Sequence, residues 1–283
     1  MVKITCIGEL LVDKIAEEKG SLKENDRYVK RPGGAPANVA VAASRMGAET
    51  ELAASVGKDE FGEFLMEKMA EENIKTHRIE KRKLNTTLAF AALDENASPH
   101  FSFYRGADEK IEKEQVQNIN SDVIHVGSLP FSRETTAENI FSALQGQDAR
   151  VSFDPNIRPE LMDEDYRERL EKMLGFTDVL FAAEDEIEFF GGTEKLREKV
   201  EEILVTRGSE GAEMIHQNGR KFQKAPEVEA VDTTGAGDAF TGTYLAMRDK
   251  GRERALEKGV KAASHSIRKK GAMSALPTRE DLN

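Results

Sequence analysis

Residues 232–242 read Asp-Thr-Thr-Gly-Ala-Gly-Asp-Ala-Phe-Thr-Gly, a run in which two glycines are followed directly by an acid. Gly235 and Gly237 permit a tight turn that brings consecutive backbone N–H groups close to an anion. Residues 239–248 are predicted to form a helix, whose N-terminus would point at that anion. Asp238 would then lie in the first helical turn. A carboxylate beside a bound phosphate is suited to take a proton from an attacking hydroxyl group, as a general base does.

The glycine pattern of this stretch differs from better-known motifs. A dinucleotide fingerprint, G-x-G-x-x-G, would need a third glycine where the chain has Phe240. Neither a G-x-x-x-x-G-K-[ST] loop nor an H-R-D triplet occurs in the sequence. The remaining alternative to an anion site is a helix-capping turn that binds no ligand.

Two motifs resemble signatures of one known family. Residues 232–240 resemble the C-terminal signature of the ribokinase family, the PfkB-type carbohydrate kinases, with the fructokinase and 2-keto-3-deoxygluconate kinase branch closest. Gly-Gly-Ala-Pro-Ala-Asn-Val-Ala at 33–40 resembles its N-terminal signature, with Gly47 and Gly57 at the expected distances. The resemblance covers essentially the whole chain. It implies an α/β fold, with a doubly wound, mostly parallel sheet core and a small β-sheet lid, and ATP-dependent phosphorylation of a sugar hydroxyl with magnesium.

Length and composition limit the class of protein. The 283 residues suit one α/β domain, residues 1–283, with an appendage. The net charge of −11 argues against a surface for nucleic acid or acidic membranes. A single cysteine, Cys6, in an apolar run predicts a buried thiol and a reduced compartment. With no apolar segment of transmembrane length and no signal-peptide pattern, we expect a soluble cytoplasmic protein.

The order of apolar and polar runs predicts a core and a lid. Val2–Ile7 is a predicted buried strand, and a strand–helix–strand alternation from residue 122 onward predicts parallel strands. Residues 10–31 are predicted to form a hairpin. Two β-like runs, separated by the turn residues Asp94-Glu95-Asn96, predict a second hairpin within 78–108. These two segments are expected to form the lid, and a homodimer through the lid is a further expectation.

The resemblance implies sugar-binding residues near the N-terminus. Asp13 matches the aspartate after Gly-Glu-x-Leu-x that contacts sugar hydroxyls in similar kinases, although without the resemblance it would be an exposed hairpin carboxylate. Gly33, Gly34 and Asn38 match the two glycines and the asparagine that hold the sugar. The amide of Asn38 can both donate to and accept from vicinal hydroxyls, and its alternative role is that of a helix-cap residue.

Two arginines are candidates for contacts with the acceptor. Arg105 lies in a segment that resembles Tyr-Arg-x-x-x-Ala-Asp of fructokinases and ketodeoxygluconate kinases, but this version is shorter by a residue or two. Arg158 ends Asp-Pro-Asn-Ile-Arg, a motif of the same branches. Polar groups at the carboxyl end of a parallel strand face the ligand crevice, so we expect Arg158 to reach the transferring phosphoryl group or a sugar oxygen. The alternative is an Asp-Pro turn followed by a helix-capping arginine.

The resemblance also implies nucleotide-binding positions. Residues 203–211 resemble the strand and turn that lie against ATP in this family. Thr206 and Gly208 match nucleotide-contacting positions, and Gly211 shapes the turn. Gly271 falls where relatives contact the nucleotide and a monovalent cation. Without the resemblance, residues 203–211 would be interpreted as a β-hairpin with a glycine turn.

The resemblance assigns the catalytic roles to residues 235–238. Asp238 is expected to act as the general base and to contact the sugar. The backbone amides of Gly235, Ala236 and Gly237, with the helix N-terminus, are expected to stabilise the charge on the transferring phosphoryl group.

Two acids are expected near cations, and here the sequence departs from its family. Glu186 matches the glutamate of the family's Asn-x-x-Glu motif, which organises magnesium through water. The asparagine position of that motif is occupied by Ala183. Asp232 and backbone carbonyls near it are the expected site of a potassium ion.

The identity of the acceptor stays open at this point. Fructose is the first expectation, from the 33–38 and 154–158 motifs together. Ketodeoxygluconate is second, and ribose and nucleosides follow. A different class of function, a weakly active or regulatory protein that binds sugar or nucleotide, is suggested by Ala183, whereas the retention of Asp238 argues for activity.

Overall fold

The computed structural model describes residues 1–93, 99–158 and 163–282, and the turn predicted at 94–96 lies outside them. The strands are, in chain order, β1 (Lys3–Ile7), β2 (Leu11–Ala16), β3 (Tyr28–Gly33), β4 (Glu49–Gly57), β5 (Ile79–Arg82), β6 (Leu88–Leu93), β7 (Pro99–Tyr104), β8 (Val123–Gly127), β9 (Arg150–Asp154), β10 (Val179–Ala183), β11 (Glu202–Thr206), β12 (Gly211–His216) and β13 (Gly219–Lys224). The α-helices are α1 (Ala35–Arg45), α2 (Glu60–Glu71), α3 (Lys113–Val116), α4 (Glu134–Leu144), α5 (Tyr166–Met173), α6 (Glu184–Phe189), α7 (Thr193–Arg197), α8 (Ala236–Met247) and α9 (Arg252–Ser266).

A large sheet forms the centre of the fold. Within the described residues it has nine strands, in the order β13-β12-β11-β10-β9-β8-β1-β4-β5. Strand β1 is buried from Ile4 to Ile7 and runs parallel to both of its neighbours, β4 and β8. Along β4, Leu52 and Ala54 belong to one apolar cluster and Ala53 to another. Because side chains alternate along a strand, both faces of the sheet are covered, as parallel sheets require.

One edge of the large sheet is antiparallel, since β12 pairs antiparallel with both β11 and β13. The other described pairings in this sheet are parallel. The prediction of a doubly wound, mostly parallel α/β core is therefore confirmed. The predicted burial of Cys6, on the central strand, is confirmed as well. Among the described residues, no helix has the length and apolar character needed to cross a membrane.

Helices α1 and α8 pack closely against each other. A Cβ added at Gly242 would lie 2.5 Å from the carbonyl oxygen of Val39 and 2.6 Å from Cβ of Ala42. A larger residue would therefore have to separate the two helices. Since α1 carries Asn38 and α8 carries Asp238, this contact fixes two predicted site residues relative to each other.

Helix α8 begins earlier than the sequence predicted. Its first residue is Ala236 rather than Ala239, because Gly235 takes the left-handed conformation, with φ of 79°, and serves as the N-cap. Asp238 is thus the third residue of a helix whose apolar body is buried almost throughout.

A small sheet lies over one end of the core. Its described strands follow the order β3-β2-β6-β7, in which β2 and β6 are parallel and the outer pairs are antiparallel. Two predicted boundaries differ from the structure. Strand β3 continues to Gly33, beyond the expected end at residue 31. Strand β5 extends the large sheet rather than the small one, because Ile79 is buried in the same apolar cluster as Leu65 of α2.

Candidate active site

A cavity of about 690 Å³ separates the small sheet from the large one. It is bounded by the carboxyl ends of β9, β10 and β11, by the start of α8 and by the inner face of the small sheet. The predicted site residues that line it are Asp13, Gly34, Asn38, Arg158, Glu186, Thr206, Asp232, Gly235, Ala236, Gly237 and Asp238. Ligands of open α/β sheets bind at this place, in the crevice at the carboxyl ends of the strands.

The glycine turn at the start of α8 forms one wall of the cavity. A Cβ at Gly235 would lie 2.8 Å from Cβ and 2.9 Å from Cα of Ala272, so the turn packs directly on the backbone that follows Gly271. The N–H groups of the first helical turn have no partners within the helix, and that of Ala236 donates to the carbonyl oxygen of Thr233, just before the helix, at 3.2 Å. Together with the positive end of the helix dipole, they make an anion site of the kind that the sequence predicted.

Asp238 lies at the start of α8 with 7% of its surface exposed. The side-chain amide of Asn38 donates a hydrogen bond of 2.8 Å to its Oδ2. Burial raises the pKa of Asp238 to about 6, although the Asn38 hydrogen bond and the Arg158 guanidinium act in the opposite direction. A carboxyl group that loses its proton near neutral pH suits a general base.

Asp13 approaches the same region from strand β2 of the small sheet. It lines the cavity beside Gly33, which itself does not line it. Burial, followed by repulsion from the Asp238 carboxylate, raises the pKa of Asp13 to about 7. Two acids, one from the small sheet and one from α8, therefore line the same cavity, where they can hydrogen-bond a polyhydroxyl ligand.

Glu9 is a cavity-lining acid that was absent from the sequence prediction. Its Oε1 accepts a hydrogen bond of 2.8 Å from the backbone N–H of Ala35, at the start of α1. Burial raises the pKa of Glu9 to about 7. The sequence signal for Glu9 is its position two residues after the buried strand β1, where a polar residue faces the crevice.

Asp154 and Glu186 form an acidic pair on the core side of the cavity. Glu186 accepts hydrogen bonds from the backbone N–H groups of Ile157, at 2.7 Å, and Ala183, at 2.9 Å. Burial and the Glu186 charge raise the pKa of Asp154 well above its usual value, and burial also raises the pKa of Glu186. A cation would relieve the cost of placing these two half-buried charges together, so the pair fits a divalent ion. Asp154, at the end of β9, could have been found by the same signal as Glu9.

Arg158 carries positive charge into this acidic region. Its guanidinium carbon lies 5.7 Å from the centre of the Phe101 ring on strand β7, so the side chain joins the core to the small sheet. Asn156, two residues earlier, has φ of 34° and also lines the cavity. Left-handed backbone at a residue other than glycine is concentrated at functional sites.

Arg105 is not brought to the cavity, contrary to the sequence prediction. Its Nε donates to Oδ2 of Asp108 at 2.6 Å, and its Nη1 donates to Oγ of Ser132 at 3.1 Å. Only 9% of the Arg105 side chain and none of the Asp108 side chain is exposed. The Arg105 guanidinium is therefore neutralised inside the protein by Asp108, three residues further along the chain. The sequence motif alone does not show this pairing.

A second cavity, of about 430 Å³, adjoins the first. Gly208 and Gly211 line it together with apolar residues of α8 and α9, and Thr206, Ala236 and Gly237 line both cavities. The predicted nucleotide positions on β11 and its turn therefore meet the predicted anion site.

Asp232 connects the glycine turn to the loop at Gly271. Its Oδ1 accepts from the backbone N–H of Thr234 at 3.0 Å, and its Oδ2 accepts from the N–H of Gly271 at 2.8 Å. Gly271 itself lines neither cavity, whereas its neighbour Ala272 lines the larger one. The Asp232 carboxylate thus holds two segments of the anion site together.

Comparison with known proteins agrees with this arrangement. Residues 1–279 match the pfkB family of carbohydrate kinases. The chain is 31% identical to a fructokinase of Salmonella typhimurium, over 99% of this chain and 98% of that protein. It is 30% identical to an ATP-dependent 6-phosphofructokinase of Thermoanaerobacterium thermosaccharolyticum, over 97% of this chain and 90% of that protein.

A solved structure extends the likeness to the whole fold. A double mutant of Vibrio cholerae fructokinase, in a form with bound fructose, ADP and potassium ion, superposes with a TM-score of 0.88 at 27% identity. The match covers 100% of this chain and 97% of that one. The chain belongs to the pfkB family of carbohydrate kinases.

Proposed function

We propose that this kinase transfers the γ-phosphoryl group of ATP to a hydroxyl of a neutral sugar, with fructose as the first candidate. The observation that carries the proposal is the position of Asp238. Its buried carboxylate is held by Asn38 and follows directly on a glycine turn that lines both cavities. A phosphate on the turn and a hydroxyl beside Asp238 would be neighbours, as in-line phosphoryl transfer requires.

The chain's own residues divide the work. Asp238 takes the proton of the attacking hydroxyl, while Asp13 and Asn38 orient the sugar. The amides of Gly235, Ala236 and Gly237, with Arg158, stabilise the charge on the transferring group. Thr206, Gly208 and Gly211 lie along the nucleotide cavity.

Cations complete the proposed site. Magnesium, when bound, neutralises the phosphate charge, and Glu186 and Asp154 are the residues that would hold it, directly or through water. Asp232 with its neighbouring carbonyls is the proposed potassium site, and the Vibrio cholerae relative has a potassium-bound form. The small sheet is proposed as the lid of a single domain spanning residues 1–283.

The charges of the cavity favour a neutral acceptor. Of the described residues that line it, Arg158 is the one cation, and the acids are Glu9, Asp13, Asp154, Glu186, Asp232 and Asp238. Arg105, the other arginine expected to meet a sugar carboxylate, is already neutralised by Asp108. A sugar acid or sugar phosphate would bring negative charge against these carboxylates without a free partner.

A panel of acceptors tests the proposal. ATP consumption would be measured with fructose, ketodeoxygluconate, ribose, fructose 6-phosphate and a nucleoside, each in potassium and in sodium salts. We expect the highest kcat/KM for fructose and faster turnover in potassium. A kcat/KM for ketodeoxygluconate or fructose 6-phosphate well above that for fructose would reverse the assignment of the acceptor.

The pH dependence follows from the raised pKa values. Since Asp238 must be ionised to accept a proton and has a pKa of about 6, kcat/KM should fall as pH falls through that value. The protonated, inactive form persists to higher pH than it would for an exposed aspartate, and Asp13, with a pKa of about 7, shifts the fall further toward neutrality. Rates measured from about pH 5 to about pH 8 check this, and a flat profile would contradict the base assignment.

Ala183 should make the enzyme demanding of magnesium. Alanine at the N-cap of α6 offers no side-chain group to water on the metal, and the Glu186 carboxylate already accepts from Ala183 and Ile157. Ala183→Asn should lower the half-saturating magnesium concentration about 10-fold, with little change in the KM for sugar. Superimposable magnesium titrations of the two proteins would show that the asparagine's role is filled elsewhere.

We propose a homodimer formed through the small sheet. Val29, Ile15 and Ala91 are paired across β3, β2 and β6 on the cavity-facing side and are only half-buried. A half-buried apolar row of this kind suits an interface that would complete its burial. Sedimentation should give twice the mass of the 31.4 kDa chain, and Val29→Glu should restore the monomer. A wild-type monomer at micromolar concentration would contradict the proposal.

A further inference from the structure

Glu9 has an unsatisfied carboxyl oxygen inside the acceptor cavity. The residue lines the cavity, yet only 3% of its surface is exposed. Oε1 accepts from the N–H of Ala35, whereas Oε2 is buried with no hydrogen-bond partner among residues 1–93, 99–158 and 163–282. A buried polar atom without a partner is costly, so its retention beside a cavity points to a ligand atom.

The carboxyl groups of Glu9 and Asp13 lie in different parts of the cavity. The charged groups that act on Glu9 are Asp108 and Arg105, whereas those that act on Asp13 are Asp238 and Arg158. Arg105 and Asp108 are paired with each other, and Nη2 of Arg105, like Oε2 of Glu9, is buried with no hydrogen-bond partner in the described part of the chain.

The surroundings of Oε2 place it at the end of β8. The atom lies 3.7 Å from the position that a Cβ would occupy at Gly127, the last residue of that strand. The hydroxyl of the next residue, Ser128, is also buried without a partner in the described part of the chain. The cavity wall at Glu9 therefore has unused hydrogen-bonding capacity, with that of Ser128 behind it, whereas Asp238 lies at the glycine turn.

We propose that Glu9 is a specificity-determining residue. Its Oε2 forms a hydrogen bond with a hydroxyl group at one end of the sugar, and the hydroxyl group that is phosphorylated lies at the other end. The proposal rests on the proposed function for the place of the reacting hydroxyl. A carboxyl group can pair with a hydroxyl in either protonation state, because the hydroxyl both donates and accepts. An analogue that lacks this hydroxyl would leave Oε2 buried and unpaired, which is how a polar site rejects a deoxy substrate.

A series of monodeoxy analogues of the best acceptor in the panel tests this contact. For the wild type, removing one particular hydroxyl should lower kcat/KM at least ~10-fold. In Glu9→Ala the same removal should cost less than ~3-fold, because the partner is gone. Each comparison is the ratio of kcat/KM for the acceptor to kcat/KM for its deoxy analogue in one protein. A general loss of activity caused by losing the Ala35 contact therefore cancels in the ratio.

Glu9→Gln is the second variant, since its amide oxygen can still accept from Ala35 while its amide nitrogen replaces Oε2. It should keep the wild-type melting temperature and KM for ATP but show an altered ratio for that one analogue. Equal ratios in all three proteins for every analogue would overturn the Glu9 proposal. The acceptor panel tests the proposed function independently. If the best acceptor were phosphorylated or acidic, the proposed neutral-sugar function would be wrong. A deoxy series made from that acceptor would still test the role of Glu9.

Discussion

Asp238→Asn is expected to lower kcat by at least ~10²-fold while leaving the affinities for ATP and sugar nearly unchanged. The asparagine has the same shape, and its side-chain oxygen can still accept the hydrogen bond from Asn38 that the carboxylate accepts at 2.8 Å. What is lost is the capacity to take a proton. Turnover from steady-state kinetics, with calorimetric binding of each ligand to the variant, separates these effects.

Asp249→Asn provides the matched control for this variant. Asp249 follows the other end of the same helix and is exposed, so the same chemical change is made far from the cavity. The control should retain wild-type turnover. If Asp238→Asn also kept half of the wild-type turnover, Asp238 would not be the base.

Gly235→Ala is expected to lower kcat/KM for ATP by ~10²-fold, the usual result of losing a backbone donor to developing charge. The new Cβ would lie 2.8 Å from Cβ of Ala272, and φ of 79° disfavours any side chain. The turn must therefore shift away from Ala272, and the N–H groups of Ala236 and Gly237 shift with it. Initial rates at varied ATP, with the sugar saturating, measure this loss.

Gly251→Ala separates the loss of the anion site from the cost of backbone strain. Gly251 has φ of 115° and caps α9 as Gly235 caps α8. A Cβ there meets no described residue within 4 Å, and Gly251 lines neither of the two site cavities. Its alanine variant should lose stability while its kcat/KM stays near that of the wild type. If both variants lost activity equally, strain rather than the position of the amides would be responsible.

The local chemistry of the site could be predicted from the sequence because it depends on short motifs. The glycine turn and the acid after it are contiguous, and the structure places Asp238 in the first turn of a helix as predicted. The Asn38–Asp238 contact could not be predicted, since the packing of α1 on α8 brings together two residues that are 200 positions apart in the sequence. Each of the two residues lies in a recognised motif, but the distance between them depends on the tertiary structure.

The sequence misled where the role of a side chain depends on its partner. Arg105 was expected to meet the sugar, yet Asp108 and Ser132 neutralise it within the protein. Glu9 and Asp154 follow buried strands, but in a sequence an acid at the crevice resembles an acid at any solvated end of a strand. The structure separates the two cases, because burial raises the pKa of Glu9, and burial with the Glu186 charge raises that of Asp154.

The close contact at Gly242 has a consequence for the fate of ATP in the absence of an acceptor. Because α1 and α8 pack closely in the core, the base and its asparagine are held together by core packing rather than by the small sheet. A base held in this way can also activate water when water reaches it. Protection of ATP from futile hydrolysis must then come from the other side of the cavity, through Asp13 and the strands that carry it. Truncating Phe103, which lines the cavity from β7, should therefore raise the ratio of ATP hydrolysed to sugar phosphorylated, and an unchanged ratio would mean that water is excluded by the core alone.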